Sequence, residues 1–439
     1  MLFRSLNSIV SGWGRYPVRE AEVICPVATS ALMEHIQIGN LIPRGMGRSY
    51  GDSSLNQRMI DSSYLDHFIA FDDQSGVLSC EAGLTLNEIL KLIIPKGWFL
   101  PVTPGTSYVS VGGAIASDVH GKNHHHDGCF SEYVISFDLL LGSGEILTVT
   151  RESMPELFRA TCGGMGLTGF ILSATLSLRK ITSSYIHQKT IKVRSLEETL
   201  AAFEEHSNAS YSVAWIDCLA KGTDLGRSLL MLGEHADEGV LDFDANKSFN
   251  IPIDFPSWIL NPHSVRIFNT LYYKKNIANQ SNQLLPLRSY FYPLDKLRHW
   301  NRMYGRSGFV QYQFVMPKAS GVSGLRVAIE KISNTGMGSF LAVLKQFGEA
   351  NQNYLSFPES GYTLALDFKM SSGVIELIKE LDSIVLAHGG RVYLAKDALL
   401  DEVSFKRMYP NWEVFQEIRH RYGSLEKFSS DQSRRLGLQ

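Results

Sequence analysis

Two glycine-rich runs hold the residues of this chain best suited to chemistry. The first reads Pro43-Arg44-Gly45-Met46-Gly47-Arg48-Ser49-Tyr50-Gly51-Asp52 and runs on into Ser53. The second reads Pro104-Gly105-Thr106, then Val111-Gly112-Gly113-Ala114, then His120-Gly121-Lys122-Asn123-His124-His125. Glycine tolerates positive φ and lets a ligand come close to the main chain. Successive N–H groups in such turns form anion-binding nests. Two nests in one chain point to a ligand with two phosphates and a large body, such as a dinucleotide.

The Rossmann reading of the first run fails. That fingerprint needs G-x-G-x-x-G opening a helix, with an acid about 20 residues later. Here the spacing is G-x-G-x-x-x-G, and Asp52-Ser53-Ser54-Leu55-Asn56-Gln57 follows. Ser, Asp and Asn compete for backbone hydrogen bonds and make poor helix. Met59-Ile60 and Phe68-Ile69-Ala70-Phe71 then read as short strands, so the run is a loop between strands.

The run PRGMGRSYGD resembles the pyrophosphate loop of the vanillyl-alcohol-oxidase type FAD-binding fold. Further runs sharpen the likeness: PVTPGTSYVSVGGAIASDVHGKNHHHDG (101–128), ELFRATCGGMGLTGFILSATLSL (156–178) and GGRVYLAKD (389–397). Together they resemble the decaprenylphosphoryl-β-D-ribose 2-oxidase family, over nearly the whole chain. The resemblance implies an α+β fold of two domains. One is a PCMH-type FAD-binding domain, the other a substrate domain of antiparallel sheet covered by helices. It implies FAD-dependent oxidation of the 2-hydroxyl of a polyprenyl-phosphoryl-β-D-ribofuranose to a ketone, the first half of an epimerisation toward a D-arabinose donor. It also implies a quinone or other electron acceptor and a separate NAD(P)H-dependent short-chain reductase as functional partner. Two rival readings remain: a soluble alditol or aldonolactone oxidase of the same fold, and a flavin-binding partner subunit without turnover of its own.

The same resemblance assigns roles. Cofactor contacts fall to Pro43, Arg44, Gly45, Met46, Gly47, Arg48, Ser49, Tyr50, Gly51, Asp52 and Ser53 on the first loop. From the second region come Gly105, Thr106, Ser110, Val111, Gly112, Gly113, Ser117, Asp118 and His120, with Ile171 and Tyr393 beyond. Covalent members of the wider fold carry His near Arg48, so non-covalent FAD is expected. Lys396, His120 and Tyr50 are the catalytic candidates. Lys396 lies near the flavin in this reading and either takes the substrate proton or holds developing charge. As a base it must be neutral, which needs burial or a neighbouring cation. Tyr304, Gln313, Lys345 and Lys396 are assigned to substrate, with Lys345 toward its phosphate. Gln311 and Gln313 alternate with aromatics and so share one strand face. Ala365 stands where some members carry Cys. No metal is expected: His124-His125-His126 are consecutive, and their rings point apart rather than converging on an ion.

Elements must position these residues. Leu86–Ile94 has helical apolar spacing, opened by Thr85 with Glu88 three residues on and ended by Pro95. Tyr133–Leu141 and Ile146–Val149 read as a hairpin around Gly142-Ser143-Gly144-Glu145. After about Ile181 helix and strand alternate, with a second capping pattern at Ser195 and Glu198, a strand at 211–217, and helices at 327–332, 374–387 and 412–422. The expected division is 1–185 for the FAD domain, 186–390 for the substrate domain, and 391–439 returning to the first. The segment from Phe255 to Lys275 mixes aromatics with a basic end; it reads either as a flap touching a lipid tail or membrane face, or as an ordinary loop and helix packed on the core.

A chain of 439 residues suits two domains. A net charge of −2 argues against a nucleic-acid binder. No run reaches the roughly 18 apolar residues of a membrane span. The N-terminal residues lack a secretory pattern. A cytoplasmic protein, peripheral on the inner membrane at most, is the expectation. Five cysteines at irregular spacing read as small buried thiols.

Overall fold

Three sheets carry most of the chain in the computed structural model, which describes residues 3–243, 248–256 and 258–439. Met1, Leu2 and Ser257, which the readings of the N-terminus and of the 255–275 segment include, lie outside the described residues. A four-stranded sheet runs in the order Phe3–Ser11, Val18–Pro26, Arg58–Asp61, Ile42–Arg44. Its last two strands are parallel. The Gly45–Gln57 loop leaves the end of Ile42–Arg44 and returns into Arg58–Asp61 without helix. A five-stranded sheet runs Phe68–Asp72, Val77–Glu81, Phe170–Ser177, Val134–Leu140, Ile146–Thr150. The Gly142–Glu145 turn joins the last two as an antiparallel hairpin.

The third sheet has eight strands in the order Gln280–Pro286, Tyr185–Val193, Ser228–His235, Tyr211–Ile216, Ala342–Phe347, Gly361–Lys369, Phe309–Pro317, Arg391–Val392. The helices Leu196–Glu205, Lys318–Thr335 and Ser372–Ala387 pack on it through buried leucines, isoleucines and valines. Each such side chain contributes about 1.5–3 kcal/mol by leaving water. Strand alternation sets the opposite face. Gln311 pairs with Asp367, Gln313 with Ala365, Val343 with Ala365, and Lys345 with Thr363, so these residues share one surface.

The helix starts follow their caps, with one difference. Thr85 Oγ1 accepts the Glu88 N–H at 3.2 Å, and Ser195 Oγ accepts the Glu198 N–H at 3.3 Å. The reciprocal bonds go elsewhere. Glu88 accepts from Lys91 Nζ at 2.9 Å, a charged donor one turn on, and Glu198 accepts from the Arg194 N–H at 3.2 Å. The α-helix ends at Ile93, just ahead of Pro95, and one 3₁₀ turn, Ile94–Lys96, follows before Gly97.

The last residues fold back on the first. Leu41 N–H donates to the Lys427 carbonyl at 3.0 Å, and Tyr50 N–H to that of Ala395 at 3.1 Å. Arg435 donates to Asp52 at 2.7 Å and to Asp397 at 2.9 Å. Cys80, Cys129, Cys162 and Cys218 are buried thiols. Among the described residues no helix is long and apolar enough to cross a membrane.

Candidate functional site

A cleft of ≈ 330 Å³ opens between the glycine loops and the polar face of the eight-stranded sheet. Its far wall is the Gly45–Ser49 turn. Gly47 there has φ +59°, and a Cβ on it would come within 2.4 Å of the Arg44 guanidinium. A Cβ on Gly45 would fall 2.2 Å from Ser110 Oγ, which fixes the close approach of the two glycine runs. The N–H groups of Met46, Gly47, Arg48 and Ser49 find no acceptor among the described residues. Buried Arg48 Nε has no partner either, while its guanidinium lies 4.0 Å from the Trp13 ring centre. A Cβ on Gly105 would meet nothing within 4 Å, so the cleft wall is open there. Four backbone donors, a cation and an open cradle fit a diphosphate with a bulky group attached.

The short helix Val111–Ala116 contributes less than its sequence promises. Val111 N–H donates to the Leu84 carbonyl, Gly112 N–H to that of Ala82, and Gly113 N–H to Ser110 Oγ. Its first amides are spent inside the fold, so the free backbone donors that could meet an anion are those of the 46–49 turn. Asp295 fixes the other loop, accepting from Thr106 Oγ1 at 2.6 Å, Ser107 N–H at 2.8 Å and Ser107 Oγ at 2.7 Å.

The near wall is polar and buried. Lys396 Nζ sits 3.9 Å from the centre of the Tyr50 ring. Burial drives its ammonium down to about 7, Asp367 pulls it back up, and Lys345 pushes it further down. Lys345 itself falls to about 8 by burial. Asp367 accepts from Gln311 Nε2 at 2.5 Å and Tyr304 OH at 3.1 Å, and burial raises its carboxyl to about 6. Gln313 spends its amide hydrogens on His120 Nε2 at 3.0 Å and Thr363 Oγ1 at 3.2 Å. Its carbonyl oxygen remains as a free acceptor. Burial and the nearby Lys345, His124 and Lys396 hold His120 well below 6.5, so the imidazole is neutral. Its proton is then on Nδ1, which is buried and unpartnered. Phe347, Phe357 and Tyr393 fix the ring at 4.8, 5.6 and 5.1 Å between centres. The site can hold an anion at one end, bind hydroxyls at the other, and exchange a proton at Lys396 near neutral pH.

Most residues expected at the site line this cleft, among them Pro43 to Tyr50, Ser53, Gly105, Thr106, Ser110, Gly112, Gly113, Ser117, His120, Ile171, Gln313, Lys345, Tyr393 and Lys396. Five others do not. Tyr304 lies behind the wall, its hydroxyl committed to Asp367. Asp52 is held by Arg435, and the Gly51 backbone is pressed against the Asp397 carbonyl. Val111 is core. Asp118 accepts from Asn351, Asn353 and Ser356 side chains and from Ser131 N–H, tying two loops together. The consecutive histidines diverge: His124 Nδ1 accepts from Gly348 N–H, and His125 Nε2 meets the Ala209 carbonyl. Trp13 and Trp300 line the cleft and were not expected; nor was Asp367, which sits behind its wall, bonded to Gln311 and Tyr304. A lone acid in the apolar run Thr363–Phe368 was the available signal for Asp367. Nothing local marked the two tryptophans.

Residues 27–150 match the model of a family described as an FAD binding domain. The chain is 36% identical to the decaprenylphosphoryl-beta-D-ribose oxidase of Mycolicibacterium smegmatis, over 99% of each chain. It is 31% identical to an uncharacterised protein of Streptomyces coelicolor, over 81% of this chain and 100% of that one. It is 27% identical to the D-arabinono-1,4-lactone oxidase of Kluyveromyces lactis, over 42% of this chain and 38% of that one.

Proposed function

The chain belongs to the decaprenylphosphoryl-β-D-ribose oxidase family and is an FAD-dependent oxidoreductase; from that premise we propose that it oxidises the 2-hydroxyl of a polyprenyl-phosphoryl-β-D-ribofuranose to the 2-keto sugar. One observation carries the reading beyond the likeness. A single cleft joins a turn of four unpartnered backbone amides to a wall of two glutamines, a partly buried lysine whose ammonium falls to about 7, and a second partly buried lysine. In this reading residues 1–185 and 391–439 hold the cofactor and 186–390 the substrate.

Bound FAD supplies the two-electron acceptor that turning a secondary alcohol into a ketone requires. The Met46–Ser49 amides and Arg48 hold its diphosphate, without a covalent link since Arg48 offers no imidazole for one. Lys345 pairs with the substrate phosphate, their mutual attraction strengthened by the partial burial of the lysine. The Gln313 carbonyl oxygen accepts from a ribose hydroxyl, and neutral His120 fixes that amide. Lys396 takes the 2-hydroxyl proton on Nζ. It has a free amine available near neutral pH because burial lowers it to about 7, and Asp367 stabilises the ammonium that forms. Tyr304 acts through Asp367 and touches no ligand. A quinone or another carrier takes the electrons onward, and a separate NAD(P)H-dependent reductase returns the ketone to an alcohol. The substrate's lipid tail places the reaction at a membrane surface.

Product analysis tests the reading. Substrate deuterated at C2 should lose that label on conversion to a ketone and show a primary isotope effect, while the 2-deoxy sugar should be inert. Turnover of the 2-deoxy sugar would reject oxidation at C2. Acid precipitation should release all flavin into the supernatant; flavin retained in the pellet would reject non-covalent binding.

A further inference from the structure

The helix Pro262–Lys275 is turned inside out. Its buried residues are Val265 and Asn269, and the buried asparagine donates to Asp217 Oδ1 at 3.0 Å. Most of its apolar side chains face outward instead. Ile267 is 61% and Leu271 64% exposed, with Phe268 beside them. The segment before it exposes Phe249, Ile253 and Trp258, the last 73% exposed. Exposed apolar residues in such a run mark a contact surface rather than ordinary surface scatter.

Charge says what the contact is. From 248 to 280 the only acid is Asp254, and Arg15 holds it at 2.5 Å. Arg266, Lys274 and Lys275 lie on the helix, and none pairs with an acid among the described residues. Apolar side chains flanked by unpaired cations suit the interface of an anionic bilayer.

Position connects the surface to the cleft. Phe249–Asn250 pairs with Leu297–Arg298, and Phe255 N–H donates to the Arg302 carbonyl at 2.9 Å. That stretch includes Trp300, which lines the cleft. Phe268 lies 5.7 Å from Phe340, and Phe340 lies 5.7 Å from Tyr304, whose hydroxyl bonds Asp367. The exposed helix is thus two aromatic rings away from the residue beside Lys396.

We propose that Phe249, Ile253, Trp258, Ile267, Leu271 and the cations Arg266, Lys274 and Lys275 form the surface by which this protein docks on an anionic phospholipid bilayer. Docking there brings the cleft mouth to the lipid plane, so that a lipid-tailed substrate enters without leaving the bilayer. The docking stands on the surface alone; the delivery role rests on the polyprenyl-sugar reading above.

Sedimentation of the full-length FAD-loaded protein with vesicles tests it. Phosphatidylcholine–phosphatidylglycerol vesicles should bind the protein, and salt should weaken that binding, whereas pure phosphatidylcholine should bind poorly. Ile267→Glu/Leu271→Glu should lower partitioning roughly a hundredfold, and Lys274→Glu/Lys275→Glu should remove the preference for anionic lipid. Brominated lipid should quench emission in the wild type more than in Trp258→Phe, a readout that needs no charge-bearing variant to fold. Protein that stays in the supernatant with both vesicles would overturn the proposal, as would glutamate variants that bind like the wild type. So would a dimer split by Ile267→Glu with no vesicle binding, which would assign the face to a second copy. Oxidation of a short-tailed soluble substrate should be unchanged in Ile267→Glu/Leu271→Glu, with loss confined to substrate presented in vesicles. If vesicles bind but neither form of the sugar is oxidised, the substrate reading falls and the docking surface stands.

Discussion

Replacing Lys396 by Met separates the cost of a buried ammonium from its chemistry. Burial takes Lys396 from 10.5 down to about 7, against the pull of Asp367 and with the push of Lys345. At about 1.4 kcal/mol per factor of ten, that fall corresponds to roughly 5 kcal/mol of lost charge stability. It is a ceiling, because Lys396 keeps partial exposure at the cleft wall and water in an open cleft reaches its ammonium. A gain of about 2 kcal/mol on removing the charge is the working expectation. The folded value lies below the unfolded one, so the unfolded chain holds an extra proton between about 7 and 10.5. Stability therefore rises with pH through that window, and the penalty is complete below about 7. Methionine fills similar space without a proton. The flavin-free Lys396→Met protein should be more stable than the wild type below that window, and the gap should close as pH rises toward 10.5. The same variant, loaded with FAD, should be reduced by substrate at least ~10²-fold more slowly. Urea unfolding across the pH range reads the first effect, and anaerobic rapid mixing reads the second. A gap that does not change with pH, or a variant reduced at the wild-type rate, would refute the assignment of a low-affinity lysine at this site.

Three further substitutions probe the parts around it. Asp367→Asn removes the charge that holds Lys396 up, so the acid limb of the pH–rate profile should move to lower pH while the maximal rate falls about tenfold or more; an unmoved limb would uncouple the two groups. Gly47→Ala puts a Cβ at φ +59° and against the Arg44 guanidinium, so FAD affinity measured by fluorescence titration should fall at least about tenfold, for roughly 1–2 kcal/mol of backbone strain. Arg435→Ala leaves Asp52 and Asp397 buried without their cation and should cost about 3–5 kcal/mol in urea unfolding, a deficit that shrinks in acid as Asp52 takes up a proton.

What could be read from the sequence was local. The Gly45–Ser49 turn announced itself because positive φ and close backbone approach leave no choice but glycine. Lys396 was marked only by the resemblance of its GGRVYLAKD run to the family; its neighbours Ala395 and Asp397 suit a surface lysine equally well. The capping positions Thr85 and Ser195 were legible locally, since a hydroxyl at that spacing has one acceptor role. What depended on long-range pairing was not. Asp367 acquires its meaning only when register sets it beside Gln311, and Tyr304 looked like a ligand contact because nothing local shows that its hydroxyl turns to that buried carboxyl. Asp295 fixes the Thr106–Ser107 loop from 188 positions further along the chain than Ser107, a pairing no local pattern encodes. The helix Val111–Ala116 showed the reverse error: a glycine-rich start reads as an anion site, yet the fold uses those amides itself.

The most direct test of the account is anaerobic mixing of the purified yellow protein with a polyprenyl-phosphoryl-β-D-ribofuranose. The account predicts that the flavin band bleaches in proportion to the sugar consumed and that the product carries a ketone at C2. A protein whose flavin stays oxidised with that sugar, yet is reduced by a free aldonolactone or alditol, would contradict it.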